Sequence, residues 1–77
     1  MGARRGLTFI AGPNGTPDNH LREVWLDGRR EALAIRADAG EGWVERYVTE
    51  RGGLLLRQLG KPLTEIVFGR VEIRRGW

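Results

Sequence analysis

His20 is the one imidazole in a chain of 77 residues that contains neither serine nor cysteine. A histidine base needs a hydroxyl or thiol to activate, and only threonines remain for that part. It directly follows Gly12-Pro13-Asn14-Gly15-Thr16-Pro17-Asp18-Asn19, so it reads as an exposed loop histidine without a catalytic role. Asp38, Glu41 and Glu45 form the one local acidic group that chemistry could use. Paired carboxylates hold metals, or split acid and base duties when burial separates their pKa values. Their spacing matches no Ca²⁺-loop pattern, and a turn followed by a strand does not make them converge. They read instead as a solvated edge, or as partners for Arg36 and Arg46.

Metal and phosphate chemistry fare no better. There is no thiolate ligand, and a single histidine cannot build a metal centre without a cluster of carboxylates around it. Gly12-Pro13-Asn14-Gly15 lacks the GxxxxGK[ST] spacing of a phosphate cradle, and turn chemistry accounts for it. The sequence therefore assigns no catalytic residue, no cofactor and no metal ligand, and an enzyme is not expected.

Arginine is the remaining chemically distinctive residue. Twelve arginines and one lysine stand against ten acidic residues, giving a formal charge of +3. A GC-rich coding sequence explains the preference for arginine over lysine, though not the positive balance. Pairs occur at Arg4-Arg5, Arg29-Arg30 and Arg74-Arg75, with Trp25 and Trp77 near them in sequence. Arginines interleaved with aromatic rings suit single-stranded nucleic acid, because bases stack while guanidiniums hold phosphates. Dispersed acidic residues dilute any continuous positive stripe. The planar guanidinium fork equally suits carboxylates at protein interfaces. A large aromatic such as Trp77, following Arg74-Arg75-Gly76, suits an interface anchor.

The elements that must position these residues are short. Ala37 to Thr49 reads as a turn feeding a strand, with Gly40 and Gly42 free to take positive φ. After the turn, Trp43, Glu45, Tyr47 and Thr49 share one face, and Val44, Arg46 and Val48 the other. Trp43 and Tyr47 are the largest apolar pair on any single face, which marks this strand as the centre of a sheet. Asp27-Gly28, after Glu23-Val24-Trp25-Leu26, is a hairpin signal. Residues 29–38 have helix-forming composition, but the alternation of Leu33, Ile35 and Ala37 against Ala34, Arg36 and Asp38 favours strand. Glu50-Arg51-Gly52-Gly53 is a further turn, followed by the short apolar run Leu54-Leu55-Leu56. Glu65 to Arg74 alternates as one strand, with Val67, Val71 and Ile73 on one face and Phe68, Arg70, Glu72 and Arg74 on the other. Gly69 marks a bulge or a close approach within it. The expected fold is all-β: a small antiparallel roll or barrel of about five strands with a flexible N-terminal arm. Residues 1–19 form that basic arm, with a short strand at Leu7–Ala11 and the Pro/Gly loop. Residues 20–77 form the compact β domain.

A chain this short buries only about 60% of its unfolded surface, and without disulfides such domains commonly complete their burial against other chains. No apolar run reaches the roughly 20 residues that span a bilayer, and Leu7–Ala11 is too short for a signal-peptide core. Synthesis in the cytoplasm and no membrane partner are expected.

Val24-Trp25-Leu26-Asp27-Gly28, Ala37-Asp38 through Gly42-Trp43-Val44-Glu45-Arg46-Tyr47-Val48, and Gly69-Arg70-Val71-Glu72-Ile73-Arg74 resemble short proteins encoded by tailed bacteriophages and prophages. The resemblance covers about residues 22–75 and carries over no functional residue. It implies a viral source and a job as virion component, DNA-binding regulator or inhibitor of a host protein. The expectation is thus a non-enzymatic phage structural or interaction protein, made in the host cytoplasm and then carried in the virion. It would dock on other subunits, phage proteins or copies of itself, through Arg4, Arg5, Trp25, Trp43, Tyr47, Arg74, Arg75 and Trp77. Nucleic-acid binding through the arginine pairs, or inhibition of a host protein, is the alternative.

Overall fold

The computed structural model describes residues 7–55 and 60–76. Residues 1–6 of the expected N-terminal arm, with Arg4 and Arg5, Leu56 of the apolar run, and Trp77 lie outside the described residues. The rest is all-β and entirely antiparallel.

Two hairpins set the local geometry. Asp27 and Gly28 have φ of 50° and 83°. Successive residues with positive φ at a two-residue loop make the turn whose twist matches paired strands. It joins strand β2 (Arg22–Leu26) to β3 (Arg29–Arg30), with Leu26 opposite Arg29. Arg51 and Gly52 (54° and 83°) repeat the device between β6 (Thr49–Glu50) and β7 (Gly53–Leu54).

The larger sheet has the order β1-β4-β5-β8, built from β1 (Thr8–Ile10), β4 (Ala34–Asp38), β5 (Trp43–Tyr47) and β8 (Thr64–Phe68). The second has the order β3-β2-β9, with β9 spanning Val71–Arg75. Phe9, Ala37 and Val44 from the first sheet and Val24 and Val71 from the second form one buried core. Ala11, Leu26, Ala34, Ala39, Val67 and Ile73 pack around it. The strand within residues 1–19 is therefore part of the body: β1 pairs with β4, and Phe9 lies in the core.

Several expectations need correction. The sheets do not close into a barrel. Among the described residues there are nine short strands rather than about five. Residues 65–74 are not one strand. The chain turns at Gly69-Arg70, so β8 lies in the larger sheet and β9 in the smaller. The expected strand Trp43–Thr49 ends at Tyr47, and Thr49 belongs to β6. Residues 29–38 are not one strand either: Arg29–Arg30 belong to the smaller sheet. The chain turns at Ala32-Leu33, with the Ala34 N–H donating to the Glu31 carbonyl at 3.2 Å, and only Ala34–Asp38 form β4. The alternation of β4 breaks at a bulge between Ala34 and Arg36. Ala34 and Ala37 consequently both reach the core, while Leu33 is exposed. At the central turn only Gly42 has positive φ, 78°; Gly40 does not.

β5 is flanked on both sides, as its place at the sheet centre requires. Its buried face is nevertheless that of Val44, which is wholly inaccessible, and not that of Trp43 and Tyr47. Val44 lies between Ala37 and Val67, which have small side chains of their own, so a valine fills the space between the sheets. Trp43 lies between Asp38 and Phe68 on the outer side.

Candidate interaction surface

The outer face of the smaller sheet gathers two of the expected residues. Register places Glu23 opposite Arg74, and Trp25 between Glu72 and Arg30. The Arg74 guanidinium stands 4.4 Å from the centroid of the Trp25 ring, a cation–π contact. Glu72 pairs with Arg74 at 2.7 Å, and Glu23 accepts the Trp25 indole N–H at 3.1 Å. Arg30 approaches Glu23 at 3.6 Å. The ring face that a base would stack on is thus occupied by the chain's own arginine, and that arginine is already paired. Arg75 lies exposed at the end of β9.

Trp43 and Tyr47 belong to the other sheet, so the structure does not join them to Trp25 and Arg74. Their outer face includes Glu45 between them, Arg36 and Asp38 of β4, and Thr64, Ile66 and Phe68 of β8. Glu45 ties three strands together. It accepts hydrogen bonds from Arg36 (Nε at 2.8 Å, and Nη2) and from the Thr64 hydroxyl at 2.8 Å. Phe68 sits directly opposite Trp43, yet it is 74% exposed, and Ile66 is 52% exposed.

β8 also carries an open hydrogen-bonding edge. Gly69 donates to the Gly42 carbonyl (3.0 Å) and Val48 to the Leu63 carbonyl (3.0 Å). Paired residues alternate between hydrogen-bonded and non-bonded in an antiparallel ladder. Val67 and Glu65 are therefore the residues bonded to β5, and the N–H and C=O groups of Thr64, Ile66 and Phe68 point away from it. Among the described residues no strand pairs with that side. The opposite edge of the same sheet is covered at Ile10. The Thr16 N–H donates to the Ile10 carbonyl at 2.9 Å, and the Thr16 hydroxyl accepts the Ile10 N–H at 3.1 Å. The short edge strand β3 is two arginines, and β9 carries Glu72, Arg74 and Arg75, the charged residues that discourage edge pairing.

The polar candidates disperse. Buried Asp38 accepts the Glu41 N–H at 2.9 Å, an Asx-type contact that shapes the turn, while Glu45 turns to Arg36. Among the described residues no group of three His, Asp or Glu could hold a metal ion. His20 lies exposed on a short 3-10 turn (Asn19–Leu21). Asn19 fixes the preceding loop by donating to the Gly12 and Thr16 carbonyls (2.8 and 2.9 Å).

Arg46 is held by two carboxylates, Glu31 at 2.6 Å and Glu65 at 3.0 Å. The hydrogen bond to Glu65, aided by the charge and hydrogen bond of Glu31, holds the guanidinium above its ordinary value despite burial. This triad lies in an open depression of about 470 Å³, beside Leu33, Tyr47 and Val48. Every charge in the triad has a partner, so it reads as structure.

Compared with known proteins, the chain matches no protein family, no curated protein and no solved structure.

Ile66 and Phe68 were not among the expected interface residues. A signal was present for Phe68, which shares its alternation with Arg70, Glu72 and Arg74, a solvent-facing set. Glu31 and Glu65 around Arg46 had no such signal, because only strand register brings them together.

Proposed function

We propose that this chain is a small non-enzymatic interaction module, an accessory component of a bacteriophage particle that docks on neighbouring subunits. The observation that supports the docking is the apolar ridge of Ile66 and Phe68 on the edge of β8 that, among the described residues, no strand pairs. A strand edge offers main-chain hydrogen bonds for affinity and alternate side chains for selectivity. The phage reading rests on the sequence resemblance over residues 22–75. Nucleic-acid binding has weaker support, since Arg30, Arg36, Arg46 and Arg74 are all engaged with carboxylates.

The test is co-sedimentation of the tagged chain with purified particles of the phage that encodes it. Wild type is expected in the particle band, and Phe68→Asp with Ile66→Lys is expected to leave it. A chain found only free would overturn the reading. So would a salt-sensitive mobility shift with oligonucleotides that Arg74→Ala with Arg75→Ala abolishes, or stable co-purification with one host protein in place of particles.

A further inference from the structure

Resting on the reading of β8 as the docking edge, we propose that its occupant is β8 of a second copy of this chain. The two strands run antiparallel across a two-fold axis at Ile66. The outward-pointing backbone groups belong to Thr64, Ile66 and Phe68, so hydrogen-bonded pairs must form among these residues. A two-fold at Ile66 satisfies that condition for the whole strand: Ile66 faces its own copy, and Thr64 faces Phe68 at both ends. About six inter-chain hydrogen bonds result.

Charge selects this register over its neighbours. Glu65 then lies opposite Val67 and keeps its own partner, Arg46. A two-fold at Glu65 would set two carboxylates against each other. A two-fold at Val67 would need Gly69 and Arg70 to continue the strand, and there the chain turns away: the Arg70 N–H and C=O are bonded to Asp27.

Closure also favours a second copy. Pairing of β8 with the far edge of another sheet would generate an open filament. Thr16 already occupies that edge at Ile10. Self-pairing of β8 therefore stops at two chains. Ile66 and Phe68 together leave on the order of 200 Å² of apolar surface to cover on each copy. This apolar area lies well below that of a standard specific interface, so the dimer rests mainly on its main-chain hydrogen bonds and is weak and concentration-dependent.

The chain has no native cysteine, so an introduced one reports only on itself. In a hydrogen-bonded antiparallel pair the Cα atoms are about 5.5 Å apart, within disulfide reach. Ile66→Cys in the full chain is expected to oxidise under native conditions to a covalent dimer. Phe68→Cys and Ile10→Cys, both exposed but away from the axis, are expected to stay monomeric. In sedimentation velocity, Phe68→Asp is expected to raise the dimer dissociation constant at least about 30-fold. Equal cross-linking at all three positions, or a wild-type chain that stays monomeric up to millimolar concentration, would overturn the dimer. If that monomer still enters particles and loses this with Phe68→Asp, the docking edge stands and its occupant is another protein. If neither assay responds to changes in β8, both readings fail.

Discussion

The carboxylate of Asp27 fills the space where a side chain on Gly69 would begin: a Cβ there would lie 2.7 Å from Oδ2. Oδ1 accepts the Arg70 N–H at 2.9 Å, and the Asp27 N–H donates to the Arg70 carbonyl at 2.8 Å. The first hairpin is thereby locked to the corner where the chain leaves one sheet for the other. Gly69→Ala is expected to destabilise by about 2 kcal/mol, because the new methyl and the carboxylate cannot share the site. Asp27→Ala should cost a similar amount, through the lost hydrogen bond and a φ of 50° that alanine tolerates poorly. Asp27→Asn, which tolerates that φ and still offers an acceptor oxygen, should cost less than about 1 kcal/mol. Urea titrations of the three variants check the order.

Two glycines of one loop are needed for different reasons. A Cβ on Gly15 would fall 1.9 Å from the Ile10 carbonyl oxygen, whereas one on Gly12 would meet nothing within 4 Å. Gly12 is instead required by its φ of 92°. Gly12→Ala is expected to cost about 1 kcal/mol. Gly15→Ala should cost more, about 2–3 kcal/mol, and should push the loop off β1. Hydrogen exchange at the Ile10 amide separates the cases: faster in Gly15→Ala, near wild type in Gly12→Ala.

Removing the shared cation of the Arg46 triad leaves Glu31 and Glu65 without it. Arg46→Met is expected to destabilise by about 2 kcal/mol near neutral pH, since two partly covered carboxylates lose their partner. In the wild type the raised Arg46 pKa contributes stability at every pH below the unfolded value, and that share is lost only as pH climbs through the raised value in strong alkali. Melting temperatures of both proteins, compared at neutral pH and in increasingly alkaline buffer, check this.

Val44→Ala is expected to cost about 2 kcal/mol, although it removes only two methyl groups, because Val44 is fully enclosed in a core of five buried residues. Trp43→Ala removes far more surface from a half-buried outer position and should cost no more than about the same. Chemical denaturation of the pair shows which face of β5 carries the core. A clearly larger loss for Trp43→Ala would contradict the assignment.

The turns were the most legible part of the fold. Asp27-Gly28 forms the positive-φ pair that its composition favours, Arg51-Gly52 takes the same turn although only its glycine favours positive φ, and the all-β class follows from these turns and from the short alternating runs. Which face of β5 is buried was not legible, since local pattern ranks Trp43 and Tyr47 above Val44. The deciding factor is what stands opposite, Ala37 and Val67, and that depends on register. The split at Gly69 was hidden for a related reason: alternation continues through it, and only the close approach of Asp27, over forty positions away in sequence, makes it a corner. Of the expected interface residues, Trp25 and Arg74 do meet, but by satisfying each other.

β2 obtains its second neighbour from a distant part of the chain: Val24 aligns with Ile73, roughly fifty positions later. Such a contact must close a long loop before it returns any stabilisation, which slows folding. On the ribosome, the first hairpin can form early, but its flank stays bare until residues 71–75 have emerged. A nascent chain from which residues 71–75 have not yet emerged would thus expose an unprotected strand to its neighbours.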